Sequence, residues 1–276
     1  MSYIKKSFDV LFSSDPANGA TNRSSDGSTF TVELEGNGLA IPRNATNCSI
    51  QVVNSELWWN TPNIVVGQNA NFDFTSTTIG GATVQGPIII PTGLYSVTQL
   101  NTAIDREVFA VTGYNDVFIL EPDVGQGKVQ ITFKNAGDSI DFGYTQSFND
   151  LHGFEAKSYP SPGANQTIVG PNTAKFSNTS YFLIQSDITN QGLLFNGTYD
   201  SIIAKILITS QPGSQVLYQP VNPTLIDASN LLGDRRRRYQ FSLLTNTKER
   251  ADTLGEYWSV QLRISYYEPV NFNVVG

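Results

Sequence analysis

Soft ligands and imidazoles are nearly missing from this 276-residue chain, which holds one cysteine, one histidine and one methionine. A Cys-rich zinc site and an intramolecular disulfide are thereby excluded. Charge is sparse as well: Asp, Glu, Lys and Arg make up 15% of the residues, against about 25% in an average globular protein. The polar surface must come from Asn, Gln, Ser, Thr and Gly. No apolar run is long enough for a membrane-spanning helix. Walker loops, dinucleotide fingerprints and Gly-x-Ser-x-Gly elbows are all missing. The 17 basic and 24 acidic side chains leave a net charge of −7 and an isoelectric point near 4.7. Nucleic-acid binders carry a cationic footprint, so nucleic acid is not the expected partner. At the start, Asp9 follows Met1-Ser2-Tyr3-Ile4-Lys5-Lys6-Ser7-Phe8 where a signal peptide would keep its apolar run. That reading implies assembly inside a reducing cell rather than secretion.

What is present is a period of two. Phe8, Val10 and Phe12 alternate with more polar neighbours, and so do Phe30, Val32 and Leu34. The clearest case is Trp258, Val260, Leu262, Ile264 and Tyr266 against Ser259, Gln261, Arg263 and Ser265, which predicts a half-buried strand. Further strands are expected over 47–59, 116–121, 128–133, 180–186, 201–209, 214–219 and 238–245. The run 201–208 is apolar on both faces and reads as a strand inside a sandwich. One helix is expected, opened by the capping box Ser96-Val97-Thr98-Gln99 and carrying Val97, Leu100, Ile104 and Val108 on one face. A second short helix or turn is expected near 225–232. The pattern is all-β, a jelly-roll sandwich with a second β-rich domain or insertion. The stretch 156–180, with Ser158, Pro160, Ser161, Pro162, Gly163 and Asn165, reads as a linker. It divides the chain into an N-terminal β-rich part, 1–155, with a possible insertion at 60–155, and a C-terminal part, 165–276, that completes or forms the jelly roll.

Residues that could carry chemistry are few. His152 follows Asp150, but no nucleophile elbow accompanies it, so a structural role is expected. Cys48 alternates with Ile50 and Val52 and reads as core. Glu56-Leu57-Trp58-Trp59 places a carboxylate beside two indoles, a pattern of glycan sites and glycosidase clefts. Trp58 and Trp59 face opposite ways, so one is expected in the core and the other at a glycan or interface. Glu121, Asp123, Glu256 and Glu268 are the conceivable partner carboxylates. Arg235, Arg236, Arg237 and Arg238 form the sharpest feature: a solvated loop, an intersubunit contact with a neighbour's acidic patch, or a site for phosphate or nucleic acid. They are expected to make contacts between copies without adding to stability. No catalytic residue, cofactor or metal is assigned.

A family likeness emerges in the C-terminal half. It rests on Tyr199-Asp200-Ser201-Ile202-Ile203-Ala204-Lys205-Ile206, then Pro212-Gly213-Ser214-Gln215-Val216-Leu217-Tyr218-Gln219-Pro220. Asn222-Pro223, Asp227-Ala228-Ser229-Asn230-Leu231-Leu232-Gly233 and Leu254-Gly255-Glu256-Tyr257-Trp258-Ser259-Val260 complete it. Over about 170–268 the sequence resembles the jelly-roll capsid proteins of tailless double-stranded DNA viruses. The penton-like and minor or major capsid proteins of polinton-like viruses and virophages are the nearest group. The resemblance implies a virion protein that assembles with copies of itself and with other capsid proteins into an icosahedral shell, with no catalysis and no cofactor. A pentameric vertex protein is favoured over a trimeric major capsid protein, which would need two jelly rolls. A glycan-binding spike or fibre domain, resting on Trp58 and Trp59, is the alternative.

Overall fold

The structure, a computed structural model, describes residues 2–77, 83–113, 118–123, 125–176, 179–195 and 197–270. Two compact units divide the chain: Met1–Thr61 with Thr179–Gly276, and Pro62–Asn178. That differs from the expected parts 1–155 and 165–276. Residues 2–58 supply strands to both sheets that residues 181–270 complete, so no single cut separates them. The stretch expected to be a linker belongs, up to Asn178, to the inserted unit. There Ser158–Pro160 pairs with Ser139–Asp141, and Thr167–Val169 with Gln130, Ile131 and Thr132.

The first unit has eight principal strands. They are β1 (Ser2–Ser13), β2 (Thr29–Glu33), β3 (Thr46–Trp58), β4 (Tyr181–Ser186), β5 (Ile202–Leu207), β6 (Gln215–Tyr218), β7 (Arg238–Leu244) and β8 (Ser259–Val270). One sheet runs β1-β8-β3-β6 and the other β5-β4-β7-β2, all antiparallel. The first strand pairs with the last, the second with the seventh, the third with the sixth and the fourth with the fifth. This is the strand order of a jelly roll, a hairpin of strands rolled into two sheets. The terminal segments do not hang free as arms, because Ser2 to Ser13 pair in continuous register with Val270 to Ser259. Residues 271–276 lie outside the described residues.

Alternation explains the core, and bulges explain where alternation breaks. Val260, Leu262 and Ile264 of β8 are buried, with Trp258 just ahead of them. On β3, Cys48, Ile50 and Val52 point inward, then the phase slips and Ser55 and Leu57 take over. The slip is a bulge: Leu262 pairs with Val52 and Gln261 with Asn54, leaving Val53 unpaired. An extra residue moves every later side chain to the opposite face. Consequently Trp59 is buried and Trp58 is exposed.

A second bulge governs β5. Ile184 pairs with Ala204 and Gln185 with Ile202, which leaves Ile203 between them. Ile202, Ile203 and Ala204 are therefore all buried in succession. The double-sided apolar run expected for an interior strand thus belongs to the edge of its sheet. Its outer side is covered by a small cluster of Ile202 with Leu183 and Leu244, flanked by Tyr181 and Leu193.

Between the sheets, aromatic rings from four strands or strand ends meet. Phe12 lies 4.6 Å from Phe241, Phe241 5.4 Å from Phe30, and Phe30 4.9 Å edge-on from Trp258. The Trp258 backbone N–H donates to Ser14 Oγ at 2.8 Å and its indole N–H to the Gly27 carbonyl at 3.1 Å. The indole thus buries its ring without losing a hydrogen bond.

The inserted unit packs two small sheets and one long helix around phenylalanines. Helix α1 (Val97–Thr112) begins with the expected capping box, Gln99 N–H to Ser96 Oγ at 3.2 Å and Ser96 N–H to Gln99 Oε1 at 2.9 Å. It buries Leu100, Ala103, Ile104 and Val108, with Val97 partly buried against the same core. The expected hairpin pairs Phe118–Asp123 with Lys128–Phe133. Asp116, Val117 and Val124 of that stretch lie outside the described residues. A four-residue helix, α2 (Asn149–His152), was not expected. Near 225–232 the chain makes a single 3-10 turn, Ser229–Leu231.

Replacing Phe241 by Ala should cost about 3–5 kcal/mol, because it empties a site touched from both sheets. Leu217→Ala, on an exposed side chain, should stay within about 0.5 kcal/mol. Urea unfolding monitored by circular dichroism measures both.

Candidate functional site

The four arginines share a sequence position but not an environment. Arg236 turns inward. Its guanidinium sits 4.6 Å over the Tyr239 ring, donates to the Asp187 carbonyl at 2.7 Å, and pairs with the Asp187 carboxylate at 3.3 Å and Asp234 at 3.6 Å. Its backbone carbonyl accepts from the Tyr239 hydroxyl at 3.0 Å. Gly38, at φ +68°, passes so close to that carbonyl that a Cβ there would stand 2.3 Å away. Arg238 begins β7 directly opposite Glu33 on β2, and Arg237 and Arg238 both pair with the Glu33 carboxylate, at 3.5 and 3.2 Å. Arg235 is exposed and has no partner among the described residues. Among the described residues the run is thus one brace, two cross-strand partners and one cation without a partner. Arg236 departs from the expectation that all four lie outside the stability of the fold.

Trp58 opens onto a cleft of about 190 Å³ at the end of the β1-β8-β3-β6 sheet. Ser13, Asp15, Glu56, Gln215, Tyr257, Trp258 and Ser259 also line it. Strand register explains the gathering, since Glu56 pairs with Ser259, Ser259 with Ser13, and Trp58 with Gln215. The carboxylate beside Glu56 is Asp15, which sequence reasoning missed. It lies 41 positions away and reaches the cleft through the turn it caps, accepting from Ala17 N–H at 2.9 Å. Glu121 and Asp123 belong to the inserted unit, and neither Glu256 nor Glu268 lines the cleft.

An open groove of about 550 Å³ lies on the outer side of the second sheet. Asp187, Asp200, Gln185, Gln240, Lys248 and Arg250 are among its lining residues. Lys248 Nζ donates to Asp200 at 2.8 Å and holds its carboxyl below the usual range. The two flanks of the first sheet differ. On β1, Tyr3, Ile4 and Leu11 are exposed. Beyond the opposite edge, Leu217, Val221 and Leu225 are exposed, Val221 at 94%.

His152 is fully buried on α2 among Phe142, Phe148, Phe154 and Phe176. Among the described residues neither ring nitrogen has a hydrogen-bond partner of good geometry. Desolvation pushes its pKa down to about 3, against the weak pull of the Asn149 carbonyl. Burial likewise pushes the Cys48 thiol up to about 11, with the Asp227 charge adding to it. A neutral imidazole in a phenylalanine cage and a neutral thiol on β3 are packing groups. Among the described residues no three His, Cys, Asp or Glu side chains gather as metal ligands, and no helix is long and apolar enough to cross a membrane.

No protein-family model matches the chain, and no curated protein matches it in sequence. Among solved structures, the mavirus penton protein overlays on 96% of this chain and 100% of its own, at 10% identity and a TM-score of 0.45. The strand order, not that overlay, is what identifies the jelly roll.

Two outcomes follow from the buried groups. Arg236→Ala should cost about 1–2 kcal/mol, as a stacked and hydrogen-bonded cation, whereas Arg235→Ala should stay within about 0.5 kcal/mol; thermal melts separate them. His152 titrates near 6.5 in the unfolded chain and near 3 in the folded one. Between those values only the unfolded chain binds the proton, so stability is lost as the pH falls through that window. At pH 5 the loss should be about 2 kcal/mol. Denaturant unfolding from pH 7 to 4 should show this slope in the native chain and not in His152→Leu.

Proposed function

We propose that the chain is a viral structural protein that self-assembles as a vertex, penton-like subunit of an icosahedral capsid. The observation that carries this reading is the single jelly roll with a large insert between its third and fourth strands. A facet protein built on two upright jelly rolls needs a second one. The strands of Pro62–Asn178 pair in another order: Asn71–Thr77 with Thr83–Ile89 and Ser139–Asp141, and Lys128–Phe133 with Phe118–Asp123 and Thr167–Val169.

The flanks of the first sheet support a ring. A ring requires two unlike patches on each subunit, because its contacts are head-to-tail. Strand β1 and the β6 edge are such patches, at opposite sides of one sheet, and each carries exposed apolar side chains. Strand β1 is also 12 residues long with one described neighbour, and an open edge of that length is a template for further pairing. The partners on this reading are copies of the chain and other capsid proteins. Its location is the virion. The arginines at the start of β7 are proposed as an intersubunit contact, with Arg235, which has no partner among the described residues, placed to reach a neighbour.

Light scattering on a sizing column is expected to give five times the 30.2 kDa chain mass. Leu217→Lys with Val221→Lys, or Leu11→Lys alone, should shift the material toward monomer while leaving the melting temperature within a few degrees. A mass of three copies contradicts the vertex assignment. A monomer at millimolar concentration contradicts self-assembly.

A further inference from the structure

We propose that the cleft at Trp58 binds one neutral pyranose sugar, a ligand-binding activity separate from shell building. A pyranose has an apolar C–H face and a rim of hydroxyls. Its receptor needs a flat aromatic plate and polar groups set around it. Trp58 is 37% exposed and Tyr257 48%, and they are the aromatic side chains of the cleft that are open to solvent. Around them stand two carboxylates, Glu56 and Asp15, the Gln215 carboxamide, and the hydroxyls of Ser13 and Ser259. Carboxylates accept hydrogen bonds from sugar hydroxyls, and an amide both donates and accepts.

Size and charge narrow the ligand. Drug-sized ligands occupy roughly 300–1,000 Å³, and about 190 Å³ holds a single ring. The lining has two acidic side chains and no Lys or Arg, so an anionic sugar meets repulsion. Arg23 is nearby but occupied. It lies 4.8 Å over the Tyr257 ring and donates to the Glu256 carbonyl at 2.7 Å, which holds Tyr257 in place. Among the described residues no hydrogen bond or ion pair engages Glu56, so its carboxylate is open to a ligand.

Most of the lining sits on paired strands, which fixes it before any ligand arrives. The Val53 bulge is what turns Trp58 outward, and the same register puts Glu56 and Trp58 on the outer face.

The test uses the purified native chain and free monosaccharides: glucose, galactose, mannose, N-acetylglucosamine, glucuronic acid and N-acetylneuraminic acid. Trp59 and Trp258 are buried, so acrylamide quenching reports on Trp58. At least one neutral sugar is expected to lower the quenching constant saturably, by about twofold, at millimolar concentration. The two acidic sugars are expected to leave it unchanged. Saturation-transfer NMR on the same sugar should lose about tenfold in apparent affinity in Glu56→Gln and in Trp58→Ala. Both positions are solvent-exposed, and unchanged melting curves will show that the variants fold. Three results each overturn the proposal: no neutral sugar protecting Trp58 up to about 50 mM, acidic sugars binding as well as neutral ones, or Glu56→Gln binding like the native chain. Native mass is read separately, so failure here leaves the capsid reading untouched and the reverse also holds.

Discussion

Strand β8 lies between β1 and β3, and the rest of the jelly roll depends on its being seated there. It pairs with β1 along its whole length and with β3 from Ser259 to Tyr267. Its inward side chains Val260, Leu262 and Ile264 are without solvent exposure. Burial of three such side chains is worth several kcal/mol, of the order of the whole net stability of a domain. Its pairing is also the least local in the chain, since it joins residues 2–13 to residues 259–270. Closing this sheet joins the two ends of the described chain across everything between them, a topology that folds slowly.

Register on β8 also decides the surface. Val53 is the one residue of β3 left over when Leu262 and Gln261 find their partners. Removing it in thought returns Trp58 to the core and Trp59 to solvent, and the cleft loses its plate. The outward indole of Trp58 and the outward carboxylate of Glu56 are therefore consequences of one unpaired residue. On the second sheet, the pairing of Arg238 with Glu33 fixes where β7 begins, and Arg236 is then drawn onto Tyr239 and Asp187. Charges that are adjacent in the chain end in three different settings for this reason.

Local patterns were legible in the sequence, and long-range ones were not. The alternation of Trp258 to Ile264, the capping box at Ser96 and the hairpin before Phe133 depend on neighbours within a few residues, and each forms as its spacing dictates. The all-β sandwich followed from them. The division at Thr61/Pro62 and Asn178/Thr179 did not, because a jelly roll pairs strands across an insert of any length. Residues near 160 look like a linker by composition, yet Tyr159 is buried against phenylalanines. Helix α2 has four residues and no side-chain cap, so it left no signal. In the cleft, Glu56 and Trp58 could be picked out by their adjacency, whereas Asp15 and Tyr257 arrive only through strand register.

Electron micrographs of the assembled protein test the central claim most directly. Class averages of the ring are expected to show five-fold symmetry, with one jelly roll per wedge and strand β1 of each subunit beside the β6 edge of the next. Three-fold averages, or rings in which both of those edges face solvent, would contradict it.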